Sequence, residues 1–146
     1  MDTKQSIIID CDAQPFTPKG WKVEEHRKGG QFVFIPANIK LYFPRIQRGE
    51  NYIEGNKLRG ELVNAPVLNA NVLDHLLTHP ESFPEDWKKD EKGDILYIFF
   101  WGTTYLNSYG APCIRFLYWS NGSLGWDCQW LINGWDGKYP AAIRTN

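Results

Sequence analysis

CIRFLYWSNGSLGWDCQWLI, residues 113–132, decides the fold. Two runs rich in aromatic and β-branched residues flank Asn121-Gly122, a pair that tolerates positive φ and so suits a two-residue type I′ hairpin. That turn fixes the register. Ser120 faces Ser123, Trp119 faces Leu124, Leu117 faces Trp126, Arg115 faces Cys128 and Cys113 faces Trp130. With a period of two, Cys113, Arg115, Leu117, Trp119, Leu124, Trp126, Cys128, Trp130 and Ile132 share one face. The other face carries Ile114, Phe116 and Tyr118 opposite Gly125, Asp127 and Gln129.

The first face is apolar except for Arg115, whose diagonal neighbours are Trp126 and Trp130. A guanidinium over an indole gains roughly 0.5–2 kcal/mol. Arg115 therefore either reaches along the rim of a tryptophan-lined core or helps to form a ligand pocket. The first reading is the default use of an apolar strand face. Tyr118, with Asp127 and Gln129, reads as the solvent side. Trp135 lies in the glycine-flanked turn Asn133–Gly137 and is the indole least explained by packing. The expected ligand-binding rim is therefore Arg115, Tyr118, Trp119 and Trp135.

Upstream, Ile95 to Tyr105 reads as a further strand, joined to 113–119 through the turn Asn107-Ser108-Tyr109-Gly110. Together with Leu124 to Ile132 this makes an antiparallel meander. Residues 55–94 read as helical. Leu58 and Leu62 share a face over 56–63, and Pro66 ends that segment. Asn69 or Asn71 caps a second helix over 69–79, with Val72, Leu73, Leu76 and Leu77 inward. Phe83 to Trp87 reads as a single turn opened by Pro84, and Lys88 to Gly93 as a charged loop. Residues 1–54 read as β-rich, with Ser6 to Cys11 a strand, Trp21 to His26 and 31–35 a hairpin across Gly29-Gly30, and 39–43 an edge strand between prolines.

The expected architecture is α+β: the C-terminal antiparallel meander packs against two or three short helices, preceded by the β-rich segment, all in one domain over 1–146. Expected core residues are Leu73, Leu76, Leu77, Phe100, Leu117, Trp126 and Trp130.

Composition narrows the function classes. The hydrophobic fraction of 42% against 23% charged is globular. A net charge of −1 without a Lys or Arg run argues against a nucleic-acid partner. No stretch approaches the ~18–20 apolar residues of a membrane span, and the short run Ile7 to Ile9, followed by Asp10 and Asp12, does not read as a signal peptide. Cys11, Cys113 and Cys128 are odd in number and widely spaced, so the expected setting is cytoplasmic with reduced thiols.

From about Glu61 onward the chain resembles a family of small uncharacterised bacterial proteins. The residues that carry the likeness are VLNANVLDHLLTHPESFPEDWK (67–88), FFWGTTY (99–105), IRFLYW (114–119), GWDCQWLINGW (125–135) and YPAAI (139–143). Members share a NANVLD-type helix, a PEEW-like turn, a WGT strand and a closing PAA. The resemblance implies a common fold and transfers no catalytic residues.

Catalytic candidates are few. His75 and His79 are four apart on the expected helix, a spacing that suits one metal face, but no third ligand accompanies them. Cys128 and Cys113 fall on the apolar face, where a thiol is usually inert. Cys11 sits between two acids. Asp94, Asp127 and Asp136 are too scattered for an acid–base pair, and no phosphate loop, dinucleotide fingerprint or serine elbow occurs. The sequence implies no cofactor and no metal. The leading expectation is a non-enzymatic module that binds a protein or small ligand on its aromatic rim. The alternative is a hydrolase-like enzyme using His75, His79 or Cys128 between helix and sheet. A third reading is self-association through an exposed strand such as Ile39 to Phe43.

Overall fold

The computed structural model describes residues 7–48 and 52–145. The strands are β1 (Ile7–Asp10), β2 (Lys22–His26), β3 (Gln31–Phe34), β4 (Ile39–Tyr42), β5 (Ile53–Glu54), β6 (Ile98–Phe99), β7 (Thr103–Leu106), β8 (Pro112–Ser120), β9 (Ser123–Trp130), β10 (Gly134–Trp135) and β11 (Ala141–Arg144). The helices are α1 (Gly55–Glu61) and α2 (Ala70–Thr78). The α+β class holds, and among the described residues the main sheet has seven strands. Ser6, where the first strand was expected to start, lies outside the described residues.

β8 organises this sheet. A strand has two edges, and β9 pairs along the whole of one, in the register expected from Asn121-Gly122. Asn121 and Gly122 take φ of 54° and 78°, as a type I′ turn requires. β6 and β7 share the other edge end to end, with Phe99 opposite Phe116 and Tyr105 opposite Cys113. The single strand expected over 95–105 is therefore two, broken at Trp101-Gly102. The break turns backbone groups away from β8. Gly102 N–H donates to the Leu68 carbonyl at 2.9 Å, and the Gly102 carbonyl accepts from Arg27 N–H at 2.7 Å.

That break also spreads the sheet. β7 pairs with β2 and β6 with β11, which pairs with β4 at the far edge. The edge position expected for 39–43 is found, whereas the expected hairpin between 21–26 and 31–35 is not. β2 joins β7 while β3 joins β1. The β6–β11 pair is parallel, so the sheet is not a pure meander. Non-local partners decided both points, and hairpin spacing alone does not report them.

The sheet is buried on both faces, which the expected half-open sheet did not include. Ile98, Phe100, Leu117 and Ala142 face α2 and meet Leu73 and Leu76. Their sequence neighbours Phe99, Trp101, Ile114 and Ala141 face α1 and meet Leu58, Leu62 and Trp135. The unbroken apolar run of 95–101 is the signature of such a two-sided strand. α2 is capped by the Asn69 side chain, which accepts from Asn71 N–H at 3.0 Å. Of the expected core, Leu77 and Trp126 are half-buried and Trp130 is 38% exposed.

Two glycines test this packing in opposite directions. A Cβ on Gly102 would lie 2.7 Å from Asn69 Cα, at backbone that cannot yield. Gly102→Ala is expected to lower stability by roughly 1–3 kcal/mol in urea unfolding. A Cβ on Gly60 of α1 meets nothing within 4 Å. Gly60→Ala is expected to raise stability by up to about 1 kcal/mol.

Candidate functional site

The four residues expected to form one rim are dispersed. Arg115 is 1% exposed. Its guanidinium forms a two-pronged pair with Asp74 of α2, Nη1 to Oδ2 at 2.9 Å and Nη2 to Oδ1 at 2.8 Å. Trp126 lies under it at 4.1 Å, and the Phe16 ring stands at 5.3 Å. Burial pulls the Arg115 pKa down, but the Asp74 hydrogen bonds and charge outweigh it and leave the pKa raised. Arg115 therefore neither rims the core nor opens a pocket. Its partner follows Leu73 on α2, at the margin of the stripe facing the sheet. A lone arginine on an apolar strand face requires a counter-charge, and that requirement is the signal that could have found Asp74.

Trp135, expected on the rim as the indole least explained by packing, is fully buried. β10 pairs with β5, and this carries the indole into the second core, 5.1 Å from both Phe99 and Trp101. Gly55 is what admits it, since a Cβ there would collide with the indole and with the Leu131 backbone. Tyr118 is half-buried on the α1 face, lying over Gly125 and 5.9 Å from Tyr97. Trp119 is half-buried on the α2 face. Phe83 stacks on it at 6.2 Å, and Lys88 Nζ stands 3.9 Å from the ring centre. A groove of about 640 Å³ runs beside it, lined by Lys88, Lys89, Asn121 and neighbouring residues.

The open rim is β9 itself. The closing pair Ser120–Ser123 of a type I′ hairpin is hydrogen-bonded, and bonded pairs then alternate along the ladder. Gly125, Asp127 and Gln129 thus turn their backbone groups toward β8. Leu124, Trp126, Cys128 and Trp130 turn theirs outward. Cys128 N–H donates to Asp127 Oδ1 at 2.7 Å, and the Trp130 carbonyl accepts from Asn133 N–H at 2.9 Å. The N–H groups of Leu124, Trp126 and Trp130, and the carbonyls of Leu124, Trp126 and Cys128, have no partner among the described residues. Side chains border this edge unevenly. Trp126 is half-buried against Trp21 at 6.1 Å, whereas Trp130 contacts Tyr109, which is 83% exposed.

The catalytic candidates serve local structure. The His75 and His79 rings stack at 4.3 Å, and the ring Nδ1 of His79 lies 3.1 Å from the His75 carbonyl. Among the described residues no three metal-ligating side chains converge. Burial, and then His79, lower the His75 pKa, while Glu81 raises it. Asp136 Oδ1 accepts from Lys138 N–H at 2.9 Å within its turn, and Asp94 stands 4.0 Å from Lys138 Nζ. Burial pushes the Cys11 thiol up to about 11. Cys128 is shifted downward, chiefly by the neighbouring Cys113 thiol, which is itself shifted upward by Cys128 and by burial.

Comparison with family models, with curated proteins and with solved structures gives no match.

Two measurements bear on these side chains. Asp74→Ala strands a buried guanidinium, and the expected loss is about 3 kcal/mol in urea unfolding, the low end for a broken buried pair because Asp74 is 28% exposed. For His75 the folded pKa lies below the unfolded value of 6.5, so the unfolded chain takes up the proton first. Its contribution to stability is complete above that value and declines as pH falls through it. His75→Gln is expected to lose less melting temperature than wild type between about pH 7 and about pH 5.

Proposed function

We propose that the chain is a non-enzymatic interaction module that binds an extended segment of another protein along the outer edge of β9. The observation that carries this reading is the row of outward backbone groups along β9, of which the N–H groups of Leu124, Trp126 and Trp130 and the carbonyls of Leu124, Trp126 and Cys128 have no partner among the described residues. An added strand would gain main-chain hydrogen bonds from that row, and alternate side chains would supply selectivity. Trp126 and Trp130 stand on the α2 side of the edge, and Asp127 on the other. A fitting segment therefore alternates apolar residues with a Lys or Arg opposite Asp127. A two-fold pairing of β9 with a second copy centred on Asp127 would oppose two carboxylates, which disfavours self-association there. The kinship with small bacterial proteins, inferred from 67–143, belongs to the same proposal, as does a cytoplasmic setting. No helix among the described residues is long and apolar enough to cross a membrane.

Selection from a library of random peptides tests the reading. Binders are expected to alternate apolar and basic residues and to lose binding when alternate backbone amides are N-methylated. Asp127→Lys should turn the preference toward acidic peptides. Leu124→Pro removes an outward N–H but no ladder bond, and is expected to weaken binding while the fold persists. Binding that is indifferent to N-methylation and to both substitutions would rule the edge out.

A further inference from the structure

We propose that Cys128 and Cys113 form a reversible oxidation site, in which Cys128 meets a peroxide and Cys113 resolves it as a disulfide. The register places the two on one face of the hairpin, with Cys128 opposite Arg115 and Cys113 opposite Trp130, so they are diagonal neighbours. Both pack into the small cluster around Ala70 and Tyr105. Their exposure differs: Cys113 is fully buried, while Cys128 is half-buried on the open rim strand. An oxidant therefore reaches Cys128 first.

The surroundings favour the thiolate on Cys128. The neighbouring Cys113 thiol lowers the Cys128 pKa, and the Arg115 charge also lowers it, against burial and Asp127. Low-pKa accessible thiols beside a second thiol are those that oxidise selectively. Cys11 is the internal contrast, since it is 3% exposed and its pKa is pushed up to about 11.

The chemistry balances with hydrogen peroxide as oxidant. The Cys128 thiolate attacks one peroxide oxygen, an S–O bond forms, the O–O bond breaks, and hydroxide leaves and is protonated to water. The Cys113 sulfur then gives up its proton and attacks the Cys128 sulfur. The S–S bond forms, the S–O bond breaks and a second water departs. Two thiols have lost two electrons and one peroxide has gained them. A small thiol reductant reverses the step by exchange.

Diagonal neighbours in an antiparallel ladder are about 7–8 Å apart. Disulfides usually span Cα separations of about 4.4–6.8 Å. Closing the bond therefore requires a small local shift of β9 against β8. A bond formed under such strain is readily reduced, which makes the modification reversible.

The test uses the full chain, folded and reduced, exposed to hydrogen peroxide, quenched with an alkylating agent and mapped by mass spectrometry. The expected product is a Cys113–Cys128 cross-linked peptide, removed by a thiol reductant, with Cys128 reacting at least roughly tenfold faster than Cys11. Cys113→Ser, or Cys113→Ala where serine perturbs the core, should leave Cys128 as a sulfenic acid that dimedone captures. Cys11→Ser should change nothing. Oxidation of Cys11 as fast as Cys128, or conversion of wild-type Cys128 to sulfinic acid with no cross-link, would overturn the proposal. Neither readout involves a peptide ligand, so this test is independent of the strand-addition reading.

Discussion

The pair between Arg115 and Asp74 is the constraint on which the rest of the structure depends. A guanidinium almost without exposure cannot remain in a core unless an acid meets it. Asp74 does so with two hydrogen bonds, and in doing so ties α2 to β8. The pair also fixes the orientation of the sheet. A slip of one residue along β8 would carry Arg115 to the α1 face, among Phe99, Trp101 and Trp135 and away from Asp74. The indole of Trp126 beneath the guanidinium extends the same constraint to β9.

Once β8 is oriented, its two edges determine the remainder. β9 fills one. β6 and β7 fill the other only by breaking at Gly102, where the backbone presses on Asn69 at the start of α2. The break lets β2 and β11 extend the sheet from different points, so β2, and β4 through β11, join through non-local pairings. Both faces are then covered, by α2 on one side and by α1 with the β5–β10 pair on the other. What stays open is the outer edge of β9. Its central N–H, that of Cys128, is held by Asp127. A charge at such a position is a common guard against indiscriminate strand pairing.

Much of this was legible in the residues. The Asn121-Gly122 turn gave the whole β8–β9 register, Asn69 was one of the two caps read for α2, and prolines marked β4 as an edge. The rim was misplaced for a physical reason. Period-two alternation tells which side chains share a face but not whether that face is covered, and the second face of this sheet is covered by α1 and Trp135. Trp135 read as a turn indole that packing did not explain because the space that Gly55 leaves for it, far away in sequence, is invisible locally. Arg115 read as a rim residue because Asp74 lies on another element. Trp119, on the apolar face and the expected rim, is half-buried between Phe83 and Lys88.

The central claim is that β9 presents an unpaired edge in the free protein. Residue-resolved amide hydrogen exchange measures it directly. Gly125, Asp127 and Gln129, bonded to β8, should be protected, while Leu124, Trp126 and Trp130 should exchange rapidly, giving an alternation along one strand. Equal protection at all six amides would show that the edge is already covered and would contradict the account.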